Sequence, residues 1–159
     1  MIACIVQARM TSTRLPGKVV LPLAGKPVIW HVLTRAQRIP GVDRVICAVP
    51  ASDASLPIAQ VAAGLGVSVH YGPEHDVLAR YHQAALACHA DIVMRITGDC
   101  PLIDAALCGE VLRLVQGGAD YASNVMPRGY PKGLDCEAFT FDCLEAAKHG
   151  RAQIVFAQP

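Results

Sequence analysis

The sequence predicts an α/β fold, a single domain with a mostly parallel sheet covered by helices on both faces. Two observations carry this. Short apolar runs rich in Val and Ile alternate along the chain with segments whose apolar residues recur at helical spacing. The runs are also followed by polar loops bearing Gly and Pro, the punctuation of strand-to-helix connections.

The elements follow in order. Ile2 to Val6 reads as a buried strand. Val28 to Ile39 begins after Pro27, a residue preorganised for a first helical turn, and sets Ile29, Val32, Leu33 and Ala36 on one face. Arg44 to Val49 is a second strand. Pro57 to Leu65 is Ala-rich and helical, stopped by Gly66, and Val67 to Tyr71 is a short strand. Asp76 caps a helix running to Ala90 with Val77, Leu78, Tyr81, Ala84, Ala85 and Cys88 on one face. Asp91 to Thr97 is another buried strand, and Asp104 is placed to cap the helix that runs to Val115. Asp120 to Ser123 reads as a strand, Met126 to Gly133 as a Pro/Gly loop, Cys136 to Phe141 as a strand and Asp142 to Lys148 as a helix. The domain is expected over residues 1–149, with an irregular tail over 150–159.

Composition bounds the function. A chain of 159 residues that is 53% hydrophobic and 17% charged is long and apolar enough for its own core. A net charge of +1 speaks against a general nucleic-acid binder, which needs a large basic field. Seven cysteines with no C-x-x-C pair suggest reduced thiols rather than a disulfide framework. No basic segment precedes IACIV, and no run approaches the roughly 18–20 apolar residues of a membrane span. The expectation is a soluble cytoplasmic protein with neither nucleic-acid nor membrane partners.

In an open α/β sheet, ligands bind outside the carboxyl ends of the strands. Two of the loops there carry unusual chemistry. The stretch QARMTSTRLPGKVVLPLAGKP, residues 7–27, holds Arg9, Arg14, Lys18 and Lys26 and no carboxylate. Arginine presents a planar fork to phosphate oxygens and lysine a mobile point charge, so the loop suits a polyphosphate. It is neither a Walker loop nor G-x-G-x-x-G. Residue chemistry alone leaves a second reading open, a solvated loop with ordinary surface basics.

The other loop is TGDCPLID, residues 97–104. A carboxylate at Asp99 could hold magnesium, which takes one or two carboxylates with substrate phosphates and water. Asp99 could equally cap the turn, and Asp104 reads as a plain N-cap. Cys88, His89, Cys100 and Cys108 lack zinc spacing. His31 reads as a helix residue, not a base. Lys132, Asp135 and Glu137 sit where a loop enters a strand, as a sugar-side lining or as turn chemistry.

Taken together, the segments IVQARMTSTRLPGKVVLPLAGKPVIWHVLTRA, EHDVLARYHQAA, DIVMRITGDCPLID and YPKGLDCEAF resemble, in order, the cytidylyltransferases that activate acidic sugars, the CMP-Kdo and CMP-sialic acid synthetases. Within that group they are most similar to the spore coat polysaccharide biosynthesis protein F branch. The resemblance runs from Ile2 to about Ala147. It implies a Rossmann-like nucleotide-diphospho-sugar transferase fold. It also implies a reaction in which a sugar hydroxyl attacks the α-phosphate of a nucleoside triphosphate, CTP favoured, releasing pyrophosphate for surface polysaccharide synthesis.

By that resemblance Arg14, Lys18 and Asp99 are catalytic, with Asp99 holding Mg2+. Ala8, Arg9, Ser12, Arg14, Gly17, Lys18, Thr97 and Gly98 bind the nucleotide, Ser12 and Gly17 by hydrogen bonds from hydroxyl or backbone. Asp76, Arg80, Lys132, Asp135 and Glu137 fall on the substrate side. Thr97 departs from the Gln common there, which leaves the choice of base open. The synthetases also continue further, into a segment with a second metal carboxylate and dimer contacts. Nothing after Lys148 resembles that segment, so the resemblance implies a truncated chain, and the homodimer it implies would lack its usual contact. Two other readings are a nucleotide-binding fragment without turnover and a transferase that consumes a nucleotide-sugar.

Overall fold

The computed structural model describes residues 1–151. Eight strands and five helices follow one another: β1 Ile2–Gln7, β2 Pro22–Leu23, β3 Lys26–Pro27, α1 Val28–Ala36, β4 Arg44–Pro50, α2 Leu56–Gly64, β5 Ser68–Gly72, α3 Val77–Ala87, β6 Ile92–Thr97, α4 Ala105–Gln116, β7 Tyr121–Ser123, β8 Glu137–Thr140 and α5 Phe141–Lys148. The expected irregular tail falls, for residues 152–159, outside the described residues.

Six strands form one sheet in the order β5-β4-β1-β6-β8-β7. β5, β4, β1 and β6 run parallel, whereas β8 pairs antiparallel with both β6 and β7. The chain moves outward from β1 through β4 to β5, then crosses back through α3 to place β6 on the other side of β1. The carboxyl ends of β1 and β6 therefore flank the point where strand order reverses, the usual ligand crevice of this architecture.

Period-two alternation divides the core. Cys4, Val6, Cys47, Val49, Met94 and Ile96 pack with α1, α2 and α4. Ala3, Ile5, Ile46, Ala48, Val93 and Phe139 pack with α3 and α5. This is the two-faced cover the sequence predicts. The helix starts are as chemistry dictates: Asp76 accepts from the Ala79 amide at 2.8 Å, Asp104 from Leu107 at 2.8 Å and Thr140 from Cys143 at 3.2 Å. The β2–β3 hairpin has no signature in the sequence pattern. It folds Leu23 against Lys26 and orders the run-in to α1, and His31 Nε2 lies 2.7 Å from the Leu23 carbonyl.

Candidate functional site

Gly98 sets the geometry. Its amide donates to the Gln7 carbonyl at 2.7 Å, drawing the end of β6 onto the end of β1. A Cβ at this position would stand 2.8 Å from Ala8 Cβ, 2.9 Å from the Gln7 carbonyl oxygen and 3.0 Å from Ile29 Cδ1. Only glycine permits this approach. It delivers Asp99 beside the loop that leaves β1.

That loop, residues 8–17, folds back on itself. The Ser12 and Gly17 amides both donate to the Met10 carbonyl, at 3.0 and 2.9 Å. Gly17 has φ +69°, the left-handed region that favours glycine, and starts the 3-10 turn Lys18–Val20. The Gly17 amide is thus spent on closing the loop, and the Ser12 hydroxyl accepts from Leu15 at 3.4 Å. Thr11 fastens the loop to the β5–α3 connection through a 2.7 Å bond from its hydroxyl to Glu74.

Closing the loop brings Lys18 against Asp99, with Nζ 2.5 Å from Oδ2 and side chains 26% and 20% exposed. Burial would push the Asp99 carboxyl up. The hydrogen bond and charge of Lys18, with smaller help from the Thr97 hydroxyl, outweigh it and hold Asp99 below the usual carboxylate range. Asp99 is therefore ionised at neutral pH.

The cleft around this pair is lined by Gln7, Ala8, Arg9, Ser12, Thr13, Arg14, Lys18, Thr97 and Gly98, with Val77 and Arg80 from α3. Arg80 is 1% exposed. Its guanidinium donates to the Pro73 carbonyl and, at 3.3 Å, to that of Glu74. Burial, reinforced by Arg9, lowers its pKa against the pull of Tyr81, Glu74 and Asp76. The structure thus sets Arg80 in the same cleft as Arg9 and Lys18, apart from Lys132, Asp135 and Glu137. Asp76 is the N-cap of α3 and does not line the cleft.

A second hollow opens on the far side of Asp99. It shares Arg14, Thr97 and Asp99 with the first, and adds Lys132, Asp135 and Glu137, with Arg95, Cys100 and Arg128. Two ion pairs shape it. Arg95 of β6 and Glu137 of β8 are register partners joined by a 2.8 Å bond, with side chains 5% and 9% exposed. Burial raises the Glu137 pKa, and Arg95 counters only part of that. Arg128 grips Asp135 through both carboxylate oxygens, at 2.6 and 3.0 Å. Asn124 ties the ends of this loop, donating to the Leu134 carbonyl at 2.7 Å and accepting from the Cys136 amide at 3.0 Å.

Sequence reasoning missed Gln7, Thr13, Arg95 and Arg128. A signal existed for Arg95, a single charge inside the apolar run IVMRIT. Gln7 is likewise a polar end to IACIV.

Asp99 suits a divalent cation: it is an ionised carboxylate with a hydroxyl beside it, and a cationic group is already drawn onto its oxygen. Among the described residues no group of three or more His, Cys, Asp or Glu could cage a metal unaided. A cation here would need oxygens from a bound ligand, which is how magnesium is usually held.

An open α/β protein with a cationic crevice at its switch point is the class these features define. The cytidylyltransferase family model matches residues 3–128, and the chain belongs to that family. It is 36% identical over 144 residues to "Uncharacterized protein MJ1063" of Methanocaldococcus jannaschii, covering 90% of this chain and 58% of that protein. It is 41% identical over 128 residues to a 3-deoxy-manno-octulosonate cytidylyltransferase of Anaeromyxobacter dehalogenans, covering 79% and 52%. A solved cytidylyltransferase from Leptospira borgpetersenii superposes with a TM-score of 0.89 at 32% identity, covering 93% of this chain and 63% of that one. The chain thus spans between about half and just under two thirds of the length of these relatives. Among the described residues no helix is long and apolar enough to cross a membrane.

Proposed function

We propose that this chain carries the nucleotide half of a cytidylyltransferase that couples CTP to a sugar or sugar acid and releases pyrophosphate. The observation that carries this reading is the convergence of Arg9, Arg14, Lys18 and Arg80 on Asp99 in one cleft at the β1–β6 crevice. The family membership and the similarity to a 3-deoxy-manno-octulosonate cytidylyltransferase support the base and an acidic acceptor. A role in surface polysaccharide synthesis belongs to the same reading, as does assembly as a homodimer.

The chemistry asks little of the protein beyond position and charge. Arg9 and Arg14 lie on the basic loop and hold phosphate oxygens. Lys18 has three donors, so it can stay on Asp99 while its other hydrogens reach the departing pyrophosphate. Arg80, fixed to backbone carbonyls, adds positive charge from below. Asp99 with Thr97 would hold Mg2+, which when bound neutralises phosphate charge and lowers the barrier to attack. The hollow beyond Asp99 takes the sugar. There Lys132 and Arg14 offer charge to a carboxylate, and the carboxylates of Asp135 and Glu137 accept from hydroxyls.

Pyrophosphate release with CTP and a panel of sugar acids tests the reading. Turnover that is lost in Asp99→Ala supports it. Tight CTP binding with no turnover over a broad panel favours the binding-only alternative, and CMP-sugar consumption without pyrophosphate would favour a glycosyl transferase.

A further inference from the structure

Two residues lining the nucleotide cleft each hold a buried side-chain atom with no hydrogen-bond partner among the described residues: Oε1 of Gln7, an acceptor, and Nε of Arg80, a donor. Buried polar groups in folded proteins are nearly always satisfied, so an open pair in one cleft calls for a ligand that completes it. Gln7 ends β1 in register with Thr97 of β6. Alternation from Ala3 and Ile5, which pack on the α3 side, turns Gln7 to that same side, towards the first turn of α3 with Val77 and Arg80. The basic residues Arg9, Arg14 and Lys18 all lie on the loop beyond it. Of the side chains lining the cleft, Gln7 alone is an amide, a planar group with acceptor and donors together.

We propose that Gln7 is the residue that reads the nucleobase. Its carbonyl accepts from the exocyclic amine of cytosine and its amide donates to the neighbouring ring nitrogen. In the orientation the structure gives the Gln7 amide, with Oε1 the buried unpartnered atom, the carbonyl that uracil sets where cytosine has the amine would oppose the acceptor. The register partner, Thr97, has one hydroxyl, held near Cys100 Sγ at 3.1 Å, and supplies no planar pair. This inference rests on the reading that the cleft takes CTP.

The experiment measures binding of CTP, UTP and inorganic tripolyphosphate to the full chain and to Gln7→Ala, Gln7→Leu and Gln7→Glu. Apo melting curves verify that each variant is folded. A base contact of this kind is worth about 5- to 150-fold. Gln7→Ala and Gln7→Leu should lose CTP affinity by such a factor and with it the preference over UTP, while tripolyphosphate binding holds within about twofold. Gln7→Glu keeps the acceptor, and should retain the preference for CTP even with weaker binding; a merely structural role would not produce that split. A preference unchanged in Gln7→Ala and Gln7→Leu overturns the inference and leaves the CTP reading intact. A wild-type chain that binds tripolyphosphate but shows no preference for CTP overturns both.

Discussion

Lys18 and Asp99, 81 residues apart in sequence, meet as an ion pair at 2.5 Å where β1 and β6 end side by side. The pair joins the basic loop to the acidic turn, so each holds the other in place for the proposed phosphate contacts. Removing either leaves a half-buried charge alone. Lys18→Ala is expected to weaken CTP binding by about 1.5–3 kcal/mol, the range for a charge-assisted hydrogen bond. In a double-mutant cycle with Asp99→Ala, measured by calorimetry, the two losses should fall short of additivity, because one interaction is shared.

Arg14 has no ion-pair partner among the described residues and lines both hollows. Arg14→Ala should therefore leave the melting temperature within about 1–2 °C, as exposed substitutions usually do, while weakening triphosphate binding by about 1.5–3 kcal/mol. Unchanged affinity would return Arg14 to ordinary surface.

The depressed Asp99 pKa has a definite sign in stability. Its contribution is fully present above the unfolded carboxylate value near 3.9 and is lost as pH falls through the lower folded value. The stability gap between the wild type and Asp99→Asn should be constant from pH 5 to 7 and close below about pH 4. Glu137 acts in the opposite sense. Its raised pKa costs stability above the folded value, and that cost is relieved as pH falls towards the unfolded value near 4.3. Urea titrations of Glu137→Gln against the wild type, read across pH 4 to 7, check this.

Gly98→Ala places a methyl within 3.0 Å of three atoms, one of them backbone oxygen. It should destabilise the fold by about 1–3 kcal/mol as overpacking does. It should also reduce CTP affinity, because Asp99 moves with the turn. Gly66→Ala is the control: it has a left-handed φ of +68° where Gly98 does not, has nothing within 4 Å, and does not line the cleft. It should lose stability alone.

Among the described residues, Arg95 and Glu137 form the most buried ion pair. Arg95→Met strands the Glu137 carboxylate and should cost about 3–5 kcal/mol, much of it recovered in Arg95→Met/Glu137→Leu. Thermal melts of the three proteins measure the difference.

Much of this architecture could be read from the chain. The apolar runs ending at Val6, Val49 and Thr97, the helical faces of α1 and α3, and the caps Asp76 and Asp104 depend on local pattern, and local pattern is what a sequence displays. Two-residue strands such as β2 and β3 have no period to detect. The direction of β8 is fixed only by tertiary pairing with β6 and β7. In the site, residue type singled out Arg9, Arg14 and Lys18, since such a density of like charge after a buried strand is unusual, and Asp99 by the carboxylate in the turn that closes another buried strand. The contact between Lys18 and Asp99 was not legible, because it depends on the approach that Gly98 allows. Nor was the burial of Arg80 beneath the basic loop, since its sequence neighbours give a plain amphipathic helix.

The most direct test of the proposed CTP site is a set of thermal melts with CTP, UTP, GTP and ATP, each with and without magnesium. A ligand at 100 times its Kd stabilises by about 2.7 kcal/mol, which for a domain of this size raises the midpoint by roughly 5–11 °C. A cleft built for CTP should give a shift of that order that needs magnesium and is largest with CTP. No shift with any of the four, or equal shifts with all of them regardless of magnesium, would contradict it.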